Sequence, residues 1–349
     1  MRLEPRDHTP LALRIALPIA AVAAALVLCA IPLAIAGAPV LDAYGLMLHG
    51  ALGSRFAVTE TLTRTAPLIL TGLAAAVAFR AKLWNIGAEG QLYIGAIAAV
   101  MVGSTAWAGS VFVMVPAVLL AGAAGGALLM LIPTLLKVRL GVDEVVTTLL
   151  LNFVVLLFVS LLVEGPLQDP MSMGWPQSVP IADAAALPTL IERTRLHMGL
   201  IVALVAALAM WILVARTRWG FEMRAVGSNP DAARFAGMST SGVMIRVGLI
   251  SGALAGLAGV GEVAGVRGYL TTDLSPEYGY AGIVVAMLAQ LNPLAVVVSA
   301  FFVATVFVGA DSMGRALGVS SYIAHLIVAT SLLTMLIATL GLRYRIRWR

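Results

Sequence analysis

The residues that most often carry chemistry are few and scattered in this sequence. Its two lysines are Lys82, followed by Leu83, and Lys137, followed by Val138, so the G-x-x-x-x-G-K-[ST] loop that cradles nucleotide phosphates is absent. His8, His49, His197 and His325 lie far apart, and neither an H-E-x-x-H pair nor a cysteine ligand set accompanies them. Metal chemistry therefore has no donor set here. An intramembrane nucleophile and base would have to be Ser251 with His325, and Ser251 sits in a Gly/Ala face that reads more simply as helix packing. Cys29, the only cysteine, reads as a small buried apolar residue. The expectation is a chain that is not an enzyme, binds no cofactor or metal of its own, and needs another subunit for any ATP hydrolysis.

One segment carries a mechanical signature instead. In Arg224-Ala225-Val226-Gly227-Ser228-Asn229-Pro230-Asp231-Ala232-Ala233-Arg234-Phe235-Ala236-Gly237, Ser228 or Asn229 can cap a short helix, Pro230 suits its first position and Asp231 complements the positive end of its dipole. Arg234 favours the other end and Gly237 can terminate it. A loop that only joins two spans has no need of two specified helix ends, whereas a motor-driven membrane protein needs a short rigid helix to receive movement. An interfacial helix lying on the bilayer is the competing reading. Two further features interrupt apolar sequence: the polar and Gly-rich run from Asn85 to Gln91, and a short piece at 281–291 followed by Asn292-Pro293. Broken apolar segments in corresponding halves point to a transport pathway. A faint echo between Glu89–Ala96 and Glu277–Ile283 suggests an inverted repeat.

The elements that must position these residues are membrane spans. Of the 349 residues 61% are hydrophobic and 11% charged, with a mean hydropathy of +1.00, against about 25% charged residues in ordinary soluble domains. At about 20 apolar residues per crossing, spans are expected near 11–37, 62–79, 88–106, 111–136, 143–163, 198–215, 242–264, 281–291, 293–310 and 321–341, ten in all. The first is longer than the apolar core of a secretory signal and is read as retained. Of the 22 Lys and Arg residues, Arg55, Arg64, Arg193, Arg195, Arg267 and Arg315 fall on one side and the other 16 on the opposite side, which assigns both termini and the 216–241 loop to the cytoplasm. The expected organisation is an all-α integral membrane protein. It comprises a cytoplasmic N-terminus at 1–10, a transmembrane domain at 11–341 and a basic cytoplasmic tail at 342–349. Within the domain, an extracytoplasmic loop at 164–197 receives a soluble partner or caps the bundle; the sequence leaves both open. The net charge of +5 is spread through loops beside spans, which argues for membrane orientation rather than nucleic-acid binding.

Four motifs carry a family resemblance. Arg80–Gln91 (R-A-K-L-W-N-I-G-A-E-G-Q), Gly141–Asn152 (G-V-D-E-V-V-T-T-L-L-L-N), Gly165–Pro170 (G-P-L-Q-D-P) and Arg224–Gly237 resemble the bacterial nucleoside-type permeases within the ribose, simple-sugar and branched-chain amino-acid ABC permeases. The resemblance runs from about Ala66 to Leu340. It implies an inner-membrane importer for a nucleoside or, alternatively, a simple sugar or other small solute. Its partners would be an ATP-binding subunit that holds ATP and Mg, a second and different permease, and an extracytoplasmic binding lipoprotein. It makes Arg224, Gly227, Asn229, Pro230, Asp231, Ala233, Arg234 and Gly237 the coupling helix, and Asn85, Gly87, Glu89, Gly90 and Gln91 a signature near the translocation path. Asn152 and Glu262 are further path candidates. An ion-coupled secondary transporter should show carboxylates in mid-span, and none stands out.

Overall fold

The computed structural model describes residues 2–5, 11–35, 37–105, 109–318, 320 and 322–347. In chain order its helices are α1 (Leu11–Ile35), α2 (Val40–Leu52), α3 (Arg55–Arg80), α4 (Ala88–Gly103), α5 (Val111–Leu140), α6 (Glu144–Val163), α7 (Gly199–Arg216), α8 (Arg218–Ser228), α9 (Pro230–Phe235), α10 (Thr240–Glu262), α11 (Tyr278–Leu288), α12 (Pro293–Leu317) and α13 (Ile323–Arg343). A π-helical turn, Val263–Arg267, continues α10. Apart from a short antiparallel pairing of Arg2–Pro5 with Tyr344–Arg347, the regular structure among the described residues is helical.

Ten crossings were expected; six helices, α3, α5, α6, α7, α10 and α12, are long and apolar enough to cross a membrane, and the α1–α2 pair, bent by 115°, adds a seventh if it is one span. The connection left between 38 and 61 in fact contains α2 and the first turns of α3. In α2, Asp42, Gly45, His49 and Gly50 break up the apolar run, so the segment reads as a connection. The start of α3 is disguised by Thr59, Glu60, Thr61, Thr63, Arg64 and Thr65, yet its threonines are buried.

The chain forms two compact units, Met1–Thr61 with Phe302–Arg349, and Leu62–Phe301. In the first, α1 runs against α13, where the Thr334 hydroxyl donates to the Ala21 carbonyl at 2.8 Å. The Tyr44 hydroxyl ties α2 to the Leu26 carbonyl of α1, and Cys29 is buried.

The second unit is built on α4, α5 and α10, which meet backbone to backbone. A Cβ on Gly256 would overlap the Gly122 carbonyl, one on Gly252 the Gly126 carbonyl, and one on Gly259 the Leu92 carbonyl. Lipid gives no hydrophobic drive for helices to associate, so close approach through small residues supplies the attraction. Larger side chains face outward instead, among them Leu120 and Leu128 of α5, Leu157 and Leu161 of α6, and Val205 of α7. Gly256→Ala should therefore lower the thermal midpoint of the purified protein, at an overpacking cost of about 1–3 kcal/mol. Gly45→Ala, where an added Cβ meets nothing within 4 Å, should leave the midpoint unchanged or slightly raised.

Candidate translocation site

Two stretches of non-helical backbone in the second unit, each leading into a short apolar helix, concern the site. The first, residues 81–87, separates α3 from α4. The run from Asn85 to Gln91 is thus divided: Asn85 and Gly87 are in the break, whereas Glu89, Gly90 and Gln91 form the first turn of α4. Asn85 is fully buried. Its Nδ2 donates to Gln91 Oε1 at 2.8 Å and to Ser251 Oγ at 2.9 Å, and its Oδ1 accepts from Gly87 N and Gln91 Nε2, both at 2.9 Å. Ser251 donates in turn to the Ala74 carbonyl at 2.8 Å, so it serves as a polar link between helices. The Thr148 hydroxyl accepts from Ile86 N at 3.2 Å. The Glu144 carboxylate accepts from Trp84 N at 3.1 Å and pairs with Lys137.

The second break, residues 268–277, leads into α11, which begins at Tyr278 rather than near 281. Here Glu89 is brought to the helix start: its Oε2 accepts from Gly279 N at 2.6 Å, an acceptor placed where a helix N-terminus needs one. One turn along α4, the Tyr93 hydroxyl donates to the Thr272 carbonyl at 2.7 Å and accepts from Ser275 N at 3.2 Å. Asn152 joins the two breaks. Its Oδ1 accepts from Gly90 N at 2.9 Å, and its Nδ2 donates to the Ile86 carbonyl and to the Tyr280 hydroxyl, both at 3.0 Å. Glu262 makes none of these bonds; it is buried at the end of α10 in the electrostatic field of Arg64, Arg267 and Glu89. Tyr93, Thr148 and Tyr280 are participants that the sequence reading did not name singly, although Tyr93 and Tyr280 lie in the two halves of the echo and Thr148 in the Gly141–Asn152 motif. Ser251, weighed there as a nucleophile and read as helix packing, is a polar link instead.

The 224–237 segment is two helices rather than one. Arg224 and Gly227 lie on α8, where Arg224 donates to the Val214 carbonyl and a Cβ on Gly227 would overlap the Arg80 carbonyl. Asn229 caps α9, accepting from Asp231 N and Ala232 N at 3.0 Å each. Pro230 is its first residue, Asp231 pairs with Arg234 at 3.3 Å, Ala233 is buried and Phe235 is 97% exposed. Gly237, at φ +80°, closes the helix in a conformation that favours glycine. Lys82, in the first break, reaches the Ser228 carbonyl at 3.5 Å. Arg246 of α10 bonds Glu222 of α8 at 3.0 Å and lies over the Trp219 ring. The α8–α9 segment thus abuts one break and is fastened to α10.

The 164–197 connection is fastened to the other break. Ser178 N donates to the Leu270 carbonyl at 2.9 Å, Ile181 N to Gly268 at 2.8 Å and Leu187 N to Ala264 at 2.7 Å, and Gln177 is bridged to Thr271. At its end His197 is 1% exposed, with Gly199 and Gly265 leaving room for the ring. Its Nδ1 accepts from Gly199 N at 3.1 Å, so the neutral ring carries its proton on Nε2, which has no partner among the described residues. Burial lowers its pKa to about 4.

The long apolar helices are those of a multi-pass membrane protein. Residues 57–340 match the family of branched-chain amino acid transport system permease components, and the chain belongs to that family. The glucose ABC transporter permease protein TsgB13 of Haloferax volcanii is 37% identical over 99% of this chain and 93% of its own length. The guanosine ABC transporter permease protein NupP of Bacillus subtilis is 36% identical over 90% of this chain and 91% of its own. The nucleoside ABC transporter permease protein NupB of Lactococcus lactis is 35% identical over 75% and 74%. No solved structure matches the chain.

Two outcomes follow for this site. Glu89→Leu strands the Gly279 N–H in the interior and should cost about 1–3 kcal/mol, read as a lower thermal midpoint, while Glu89→Gln keeps an acceptor and should recover most of it. His197 is an ordinary histidine when unfolded but resists protonation when folded, so its contribution to stability is complete above pH 6.5 and fades as pH falls towards 4. At pH 5 the loss should be about 2 kcal/mol. A denaturation series between pH 7 and 5 should show this fall in wild type, and His197→Asn should flatten it.

Proposed function

We propose that this chain is the transmembrane subunit of an ATP-driven importer that moves a nucleoside or related neutral solute. The observation that carries the reading is the pair of short apolar helices, α4 and α11, each entered from non-helical backbone and tied together by Glu89 and Asn152, in a chain related along most of its length to ABC transporter permeases. Non-helical backbone at membrane depth belongs where protein or a cavity satisfies it, which is where an alternating-access path must run. The repetition of a break before each short helix supports an inverted-repeat core. The six long helices, the α1–α2 pair and the shorter apolar helices α4, α11 and α13 then make ten crossings of the bacterial inner membrane. Both termini are cytoplasmic, as the basic-residue bias requires, with residues 1–10 and 342–349 flanking the 11–341 domain.

In this reading α9 is the coupling helix within the 216–241 cytoplasmic loop. A partner ATP-binding subunit, carrying the ATP and Mg, moves α9, and α8 passes the movement to the first break through Gly227 and Lys82 and to α10 through Arg246. A second, different permease completes the path. An extracytoplasmic lipoprotein delivers the solute to the side bearing the 164–197 loop and sets most of the selectivity. The nucleoside preference rests on the guanosine and nucleoside permease relatives; a simple sugar is the second reading, favoured by the glucose permease relative.

Radiolabelled uptake into proteoliposomes containing the assembled importer tests both. ATP-dependent accumulation of a nucleoside that glucose does not compete supports the first reading, and the reverse supports the second; uphill uptake by this chain alone would refute both. Arg234→Glu, which reverses a charge on exposed α9, should abolish uptake with the protein still present in the membrane. Unchanged uptake would remove α9 from coupling.

A further inference from the structure

The 164–197 connection begins with a small hairpin whose tip no role described above requires. Asp169 N donates to the Gln177 carbonyl at 3.0 Å and Val179 N to the Leu167 carbonyl at 3.0 Å, so residues 167–169 and 177–179 run side by side. The Asp169 carboxylate accepts from Met171 N at 2.9 Å, and the Ser172 hydroxyl bridges the Asp169 and Trp175 carbonyls. Met173 and Gly174 both take positive φ, +54° and +87°, which turns the chain sharply. On this braced turn Met171 is 87% exposed, Trp175 68%, and Met173 completely. No charged residue lies between Asp169 and Asp183.

Three large apolar side chains held out by a rigid turn mark a surface that something covers. Its position favours one occupant. The 20 residues of α6 rise about 30 Å, the thickness of the hydrocarbon layer, so its end at Val163 lies at a bilayer boundary. Gly165 N and Leu167 N both bond back to the Leu162 carbonyl, at 3.3 and 2.9 Å, which pins the hairpin base at that boundary. The last turns of α6 expose Leu157, Phe158 and Leu161, an outward apolar strip that ends where the hairpin starts. Tryptophan is enriched at this depth, where its ring is apolar and its N–H can stay wet, and the flexible methionine side chains suit an irregular acyl and headgroup boundary.

We propose that the 170–176 tip is a membrane-surface anchor, with Met171, Met173 and Trp175 seated in the interfacial layer of the bilayer beside the end of α6. The inference needs α6 to cross the membrane and is independent of which solute is carried. Because the same hairpin is bonded to Leu270 and bridged to Thr271, the anchor gives the second break a fixed reference at the membrane surface.

The test is a nitroxide at Met173→Cys in a Cys29→Ser background, with the assembled importer in proteoliposomes and Glu192→Cys as an exposed control in the same connection. Power saturation should show Met173 favouring lipid-soluble oxygen over an aqueous nickel chelate, and Glu192 the opposite. A nickel-favoured Met173 overturns the anchor. So does a label shielded only after the soluble binding protein is added, which would make the tip a protein-docking surface, or one shielded from both reagents, which would place it against the second permease. As a readout that needs no label, Trp175→Phe should reduce the fluorescence quenching produced by brominated lipids; unchanged quenching counts against the proposal.

Discussion

Wherever a helix stops inside a membrane protein, its free N–H and C=O groups must find partners in the chain itself, because hydrocarbon offers none. This constraint governs the 62–301 unit. The α3–α4 and α10–α11 connections both leave such groups, and a small set of side chains meets them: Asn85, Glu144, Thr148 and Asn152 for the first, and Glu89 and Tyr93 for the second, with Asn152 also reaching the Tyr280 hydroxyl of α11. Since Asn152 holds Ile86 and Gly90 on one side and Tyr280 on the other, displacing either break disturbs the other.

The surroundings of the two breaks extend this coupling outward. The α8–α9 segment reaches the first break through the Gly227 and Lys82 contacts, and the 164–197 connection reaches the second through a series of backbone hydrogen bonds. Each break is thus attached to an exposed segment, while the breaks themselves are joined by buried amide and carboxylate groups. Polar bonds of this kind are strong when complete and costly when broken, which suits an element that must occupy discrete arrangements rather than bend gradually.

The glycine contacts of α4, α5 and α10 have a different role. They let three backbones approach so closely that side chains are excluded between them, giving the breaks a stiff frame. On α6 and α7, by contrast, Leu157, Leu161 and Val205 point outward, as a lipid-facing surface requires.

Composition and charge bias were enough to predict a helical membrane protein, because roughly 20 apolar residues in a row have few other uses. The cap of α9 was equally legible, since Asn-Pro-Asp and a following glycine act within a single turn. The N-I-G-A-E-G-Q run marked the right neighbourhood, but not that its last four residues are helical or that Glu89 serves a helix start 190 residues away. Helix α2 escaped notice because Asp42, Gly45, His49 and Gly50 break up its apolar run, and the buried threonines of α3 because polarity alone looks like a loop. What a local pattern can specify, propensity, capping and partition into lipid, the sequence determined by itself; which buried polar group meets which backbone end depends on distant segments packing side by side, and only the tertiary structure decided that.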